Sequence, residues 1–78
     1  MKLPRISGKE TVRLLEKAGF LPVRQKGSHV ILKRVNEQGT RAVVVPLHDE
    51  IDRGTLLQII RQAGMSKKEF LGNFSKHL

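Results

Sequence analysis

The chain has 78 residues and no cysteine, and its 15 Lys and Arg residues outnumber its 7 Asp and Glu residues. This length fits one domain with one core, because a globule of this size buries only about 60% of the surface that its unfolded chain exposes. The absence of cysteine excludes a disulfide framework and a thiolate zinc site. The net charge of +8 makes nucleic acid the expected partner, since charge of one sign on a small surface attracts polyanions. No apolar run is long enough for a signal peptide or a membrane span, so we expect a cytoplasmic protein without membrane contact.

The first predicted element is a helix near the N-terminus. Ser7 and Glu10 have capping-box spacing, in which the side chain of each residue can bond to the backbone N–H of the other. Apolar residues then recur at helical spacing until Gly19, a residue type that commonly follows the last turn of a helix.

After this helix the apolar period changes to two, which indicates strands. Gly27 and Ser28 form the predicted centre of a tight hairpin turn, and residues 36–39 form a second turn cluster. A β-branched run over residues 40–45, before Pro46, predicts a third strand and completes an antiparallel meander.

The two faces of the predicted hairpin differ in polarity. The more apolar alternating set should pack on the helices, and it consists of Leu21, Val23, Val30 and Leu32. The open face should then carry a basic set, which consists of Arg24, Lys26, His29 and Lys33.

A second helix follows the sheet and carries an apolar stripe that ends before Gly64. Two starting points fit the sequence equally well. One is Asp52, and the other is Thr55, which has Gln58 three residues later.

A second capping-box pattern, Ser66 with Glu69, predicts a short third helix. The order helix, three strands, helix and short helix is an α+β layout, with the helices on one face of the sheet. We predict a single domain over residues 1–72 and a polar C-terminal tail over residues 73–78.

His29 is the candidate catalytic residue. It would stand opposite Lys26 across the hairpin, on the same face of the sheet. A neutral imidazole can take the proton of a ribose 2′-hydroxyl, and cationic side chains can stabilise the charge that builds on the phosphate. The arrangement therefore favours RNA cleavage, although an exposed strand histidine without a catalytic role has the same spacing. No histidine has metal-ligand spacing with another ligand on a predicted helix, so we expect no metal and no cofactor.

The other two histidines are assigned no catalytic role. His48 directly follows the last strand, and we expect it to support the site structurally. His77 lies in the polar tail, where we expect it to be incidental.

Five motifs occur in a fixed order along the chain: Ser7–Gly8–Lys9–Glu10 with Gly19 and Phe20, Gly27–Ser28–His29, Pro46–Leu47–His48, Gly54–Thr55–Leu56 and Gln62–Ala63–Gly64. In order and spacing the sequence resembles the HicA family of toxins over about residues 1–72. The resemblance implies a fold like the double-stranded RNA-binding domain. It also implies a metal-independent endoribonuclease, an mRNA interferase that cleaves messenger RNA and halts translation, and neutralisation by a HicB antitoxin that covers the active histidine.

The family histidine falls on His29. Adjacency to it identifies Lys26 and Ser28 as candidate RNA-binding residues. The basic open face adds Arg24 and Lys33, and the turn adds Gly27. The group that protonates the leaving 5′-oxygen stays open, because His29 could act twice or a lysine, a serine or water could supply the proton.

Two other functions fit the basic charge. One is a non-catalytic module that binds double-stranded RNA through its shape and phosphates. It would bind RNA without cutting it. The other is an interaction protein whose basic face serves an acidic partner, and it would have negligible affinity for RNA.

Overall fold

A computed structural model describes the backbone over residues 3–77 and the side chains over residues 3–72. Its elements, in chain order, are α1 (Gly8–Lys17), β1 (Leu21–Lys26), β2 (His29–Asn36), β3 (Gly39–Pro46), α2 (Arg53–Gln62) and α3 (Lys67–His77). The three strands form one antiparallel sheet in the order β1–β2–β3. The predicted α+β fold, similar to a double-stranded RNA-binding domain, is therefore confirmed.

The start and the end of α1 follow the predicted signals. The Ser7 hydroxyl accepts a hydrogen bond from the Glu10 N–H at 3.1 Å, and the Glu10 carboxylate accepts one from the Ser7 N–H at 3.0 Å. These bonds satisfy two of the backbone donors that a helix N-terminus leaves unpaired. Gly19, with φ +97°, takes the chain out of the helix in a conformation that L side chains rarely adopt.

Both predicted turns are present. Lys26 pairs with His29 across the first hairpin, so Gly27 and Ser28 are its two central residues. Gly27 has φ +59°, which suits the left-handed conformation that tight hairpins require. Asn36 pairs with Gly39 at the second turn, so the meander has the predicted register at both connections.

The predicted inward face of β1 is wrong. Pro22 pairs with Leu32 and Arg24 pairs with Ile31, which leaves Val23 as the extra residue of a β-bulge. Because strand residues alternate between faces, one extra residue inverts the alternation on the far side of the bulge. Leu21 is 66% exposed and Val23 is 54% exposed, so neither packs under the helices.

The N-terminus of α2 is at Asp52, and the alternative start at Thr55 is not used. The Asp52 carboxylate accepts hydrogen bonds from the Thr55 N–H at 3.1 Å and from the Thr55 hydroxyl at 2.7 Å. These bonds hold the pKa of Asp52 below its usual value.

The third helix begins at the predicted capping box but is longer than predicted. The Ser66 hydroxyl accepts from the Glu69 N–H at 3.1 Å, and the Glu69 carboxylate accepts from the Ser66 N–H at 3.0 Å. The helical backbone continues through His77, across the segment that the sequence analysis assigned to a tail. The side chains of this segment, including that of His77, lie outside the described part of the chain.

Among the residues with described side chains, one apolar core fills the space between the sheet and the helices. Each element except β1 contributes to it, and its buried residues are Ile6, Leu14, Leu15, Phe20, Val30, Leu32, Val43, Val45, Ile51, Leu56, Ile59, Ile60, Ala63 and Phe70. The opposite face of the sheet carries no helix packed against it among the described elements, and it is the face that holds His29.

Arg34 is a basic residue on the core side of the sheet, where it pairs with Arg41 of β3. The Arg34 guanidinium donates to the carbonyl oxygens of Ala18 at 3.2 Å and Ala63 at 3.5 Å, at the C-terminal ends of α1 and α2. It also lies 4.8 Å from the centre of the Phe20 ring. A cation at two helix C-termini is favourable because unpaired carbonyl groups make those ends partly negative.

Candidate functional site

His29 is the first residue of β2, the central strand. Lys26 of β1 lies opposite it on one side, and Pro46 of β3 lies opposite it on the other. Directly paired residues share a sheet face, and their Cα atoms are about 5 Å apart. The imidazole is solvent-exposed and has an exposed lysine as its cross-strand neighbour.

The other predicted basic residues lie on the same face. Arg24 pairs with Ile31, two residues along β2 from His29, and Lys33 lies two residues further. At about 3.3 Å per residue, Lys33 is roughly 13 Å from His29 along the strand. The register therefore places Lys26 next to the histidine and the other two cations further along the path that a polyanion could follow.

A backbone hydrogen bond ties the hairpin turn to the segment that follows β3. The Leu47 N–H donates to the carbonyl oxygen of Ser28 at 2.6 Å. This bond places the chain after Pro46 beside the turn that carries Gly27, Ser28 and His29.

The position of His48 is fixed by a second backbone contact. Its carbonyl oxygen accepts a hydrogen bond from the Gly8 N–H, the first residue of α1, at 2.8 Å. A side chain at Gly8 would overlap the carbonyl oxygen of Pro46 and place its Cβ 2.7 Å from the Cα of Leu47. Glycine therefore permits the close approach of α1 to this segment.

These contacts bring His29 and His48 to one open cleft of about 290 Å³. The cleft lies between the end of the sheet and α2, and its full lining is His29, Val44, Pro46, His48, Thr55, Gln58, Ile59 and Gln62. It combines apolar side chains with two imidazoles, one hydroxyl and two carboxamides. Such a lining can pack against an apolar ring and still offer several hydrogen-bonding groups.

The polar side of the cleft is formed by α2 and contains no residue that was predicted from the sequence to belong to the site. Thr55, Gln58 and Gln62 are three and four residues apart, so they share one face of the helix. This spacing was visible in the sequence. The apolar stripe next to it predicted only which face of α2 packs on the sheet, whereas the position of the polar face relative to His29 depends on the tertiary structure.

The described residues carry neither a metal-binding cluster nor a membrane-spanning helix. Within this part of the chain, no group of three His, Cys, Asp or Glu side chains is arranged to hold a metal ion. Similarly, no helix there has the length and apolar character needed to cross a membrane.

A family model described as the HicA toxin of bacterial toxin–antitoxin systems matches residues 8–65. The match runs from the first residue of α1 to just beyond α2 and includes all the residues that line the cleft. Comparison with curated proteins gives no match.

Proposed function

Because the chain belongs to the HicA toxin family of bacterial toxin–antitoxin systems, we propose that it is an endoribonuclease that cleaves messenger RNA without a metal ion. The observation that carries this proposal is the exposed His29, paired with Lys26 on a basic sheet face and opening onto a cleft. The cleavage would block translation, and so the protein would act in the cytoplasm.

In the proposed reaction, His29 removes the proton from a ribose 2′-hydroxyl. The 2′-oxygen attacks the adjacent phosphorus, the bond to the 5′-oxygen breaks, and the products are a 2′,3′-cyclic phosphate and a 5′-hydroxyl. Lys26, the cross-strand neighbour of His29, stabilises the negative charge on the phosphorane oxygens. The 5′-oxygen needs a proton as its bond breaks, because an alkoxide is a poor leaving group.

The same sheet face would bind the RNA backbone. Arg24, Lys26 and Lys33 are exposed and share the face of His29, so their cations can contact successive phosphates. Gly27 and Ser28 shape the turn that presents the histidine, and the Ser28 carbonyl is held by Leu47. Such contacts make binding sensitive to salt, because each neutralised phosphate releases counterions.

A HicB-type antitoxin is the proposed controlling partner. Membership of a toxin–antitoxin family supports a neutralising protein in general. An antitoxin with acidic side chains would be attracted to the basic face, and covering His29 would exclude RNA.

The test is cleavage of a defined RNA by purified protein in EDTA. We expect the wild type to cut, and we expect His29→Ala to bind RNA without cutting it. His77→Ala is the matched control, because it removes a histidine that lies far along the chain from the proposed site. Circular dichroism checks that every variant is folded.

Two results would contradict the proposal in different ways. If the folded wild type binds RNA and never cuts it, the chain is a binding module. If it neither binds nor cuts, the basic face serves a protein partner instead. Growth arrest on induction, relieved by co-expression of the neighbouring open reading frame, would test the toxin–antitoxin relation in cells.

A further inference from the structure

We propose that His48 is the second catalytic residue of this site, the acid that protonates the leaving 5′-oxygen. This inference rests on the proposed ribonuclease function and identifies the proton donor that the reaction needs. It replaces the structural role that the sequence alone suggested for His48.

The first support is the composition of the cleft. Of the described residues that line it, only His29 and His48 have side chains of a type that serves as a general acid or base. The remaining lining consists of aliphatic, threonine and glutamine side chains, which neither accept nor release a proton near neutral pH. Cleavage by 2′-hydroxyl attack needs one base and one acid, and this cleft contains one histidine for each.

The second support is the way in which His48 is held. The Leu47 N–H donates to Ser28 next to His29, and the His48 carbonyl accepts from Gly8. These two bonds fix the backbone immediately before and at His48, whereas its side chain is exposed. The backbone is therefore anchored relative to His29, and the ring is accessible to a ligand.

The third support is that the His48 ring makes no hydrogen bond to any other described residue. A histidine that stabilised a loop would use a ring nitrogen to bond to a nearby backbone or side-chain group. Here the loop is held by main-chain bonds, so the ring nitrogens stay available to the substrate.

Several charged groups surround the two histidines in the chain or across the sheet. Lys26 lies opposite His29. Asp49 and Glu50 follow His48 directly in sequence and are exposed. Asp52 faces Thr55, to which both of its carboxylate oxygens are bonded. None of these groups is among the described residues that line the cleft.

In the proposed step each histidine transfers one proton. Neutral His29 takes the 2′-hydroxyl proton while the new bond forms between the 2′-oxygen and phosphorus. Protonated His48 gives its proton to the 5′-oxygen as the bond from phosphorus to that oxygen breaks. His29 leaves the step protonated and His48 leaves it neutral, and proton exchange with water restores both.

A substrate whose leaving group needs no acid tests this role directly. Once the cut site in a defined RNA is mapped, an oligonucleotide is made with a single ribose at that site and deoxyribose elsewhere. A second version replaces the bridging 5′-oxygen by sulfur, because a thiolate leaves without prior protonation. His48→Ala should slow cleavage of the oxygen substrate by about 10²–10⁴-fold and that of the sulfur substrate by less than about tenfold.

The controls separate an acid from a structural residue. His29→Ala should lose activity on both substrates, since each requires removal of the 2′-hydroxyl proton, and His77→Ala should retain activity on both. Equal slowing of both substrates by His48→Ala would overturn the inference, and so would full activity on both. If the wild type does not cut the defined RNA, so that no cut site can be mapped, the proposed function itself fails.

If the His48 variants do not fold, a measurement on the wild type alone can still overturn the inference, because it tests whether any protein acid acts on the leaving group. With the oxygen substrate, kcat/KM should rise and then fall with pH, because one imidazole must be neutral and the other protonated. With the sulfur substrate, the fall at high pH should disappear. A bell-shaped profile that is identical for both substrates would show that no protein acid acts on the leaving group.

Discussion

Replacing Arg34 by alanine should destabilise the fold strongly, although the residue lies on the face of the sheet opposite His29. Its guanidinium is bonded to the last turns of α1 and α2 through the carbonyls of Ala18 and Ala63, and it lies against the ring of Phe20. Alanine would remove all three contacts and leave both helix ends without this cation.

The expected loss of unfolding free energy is the sum of the contributions of the contacts that alanine removes. A hydrogen bond to a charged group contributes about 1.5–3 kcal/mol, and bonds of 3.2 and 3.5 Å belong at or below the lower end of that range. The cation–π contact with Phe20 adds about 0.5–2 kcal/mol. The Nε atom of Arg34 is buried without a hydrogen-bond partner, and removing it recovers part of this sum. We therefore expect Arg34→Ala to cost about 2–4 kcal/mol.

That loss is large for a domain of this size. At about 0.05–0.15 kcal/mol per residue, a chain of 78 residues has a total stability of roughly 4–12 kcal/mol. A change of 1 kcal/mol shifts the Tm of such a domain by about 4–8 °C. Arg34→Ala should therefore lower the Tm by roughly 10–25 °C.

Chemical and thermal unfolding followed by circular dichroism measure this effect. The matched control is Arg24→Ala, which removes an exposed arginine from the same sheet and should change stability by less than about 0.5 kcal/mol. Arg34→Lys keeps the charge but lacks the planar guanidinium group that reaches two carbonyls. The stability of this variant should therefore lie between those of the wild type and the alanine variant. A loss below about 0.5 kcal/mol for Arg34→Ala would refute the assignment of this side chain as a link between the two helix ends.

Three further predictions follow from the local contacts. Gly8→Ala should lower the Tm and disturb the segment after β3, because its Cβ would overlap the Pro46 carbonyl; unchanged thermal unfolding would contradict this. Hydrogen bonds to the carboxylates of Asp52 and Glu69 lower their pKa values below 3.8 and 4.5, respectively. The stability that each carboxylate adds to the fold is therefore complete above its unfolded-state pKa, and it is lost as the pH falls through the lower pKa of the folded state. Unfolding measured from pH 6 to pH 3 should depend less on pH in Asp52→Asn and Glu69→Gln than in the wild type, and an unchanged slope would count against these caps. Lys26→Ala should weaken binding of single-stranded RNA and reduce the slope of log K against log salt concentration by about 0.7, and a salt titration that matches the wild type would exclude a phosphate contact.

Local sequence signals predicted most of the fold because they depend on neighbouring residues. The capping boxes at Ser7 and Ser66 define helix starts through bonds that span three residues. The turn at Gly27 and Ser28 is also a local signal, and it fixes the pairing of Lys26 with His29 because only these two residues separate them. The end of the third helix carries no comparable signal, and the prediction placed it too early.

The cleft could not be predicted in the same way. His29 and His48 are 19 positions apart, and they line one cleft because Leu47 bonds to the turn and α1 approaches closely at Gly8. The contribution of α2 depends on how that helix crosses the edge of the sheet. Sequence reasoning assigned a catalytic role to His29 and only a structural one to His48, because only the tertiary contacts bring both residues to one cleft.

The bulge in β1 explains why the charged face was predicted correctly while the apolar face of the same strand was not. Arg24 and Lys26 lie between the bulge and the hairpin turn, so the turn alone fixes them on the face of His29. Leu21 lies beyond Val23, where the alternation has been inverted, and it is consequently exposed. A turn determines register only as far as the next irregularity in the strand. The basic residues nearest the histidine were therefore predictable, because no irregularity separates them from Gly27 and Ser28.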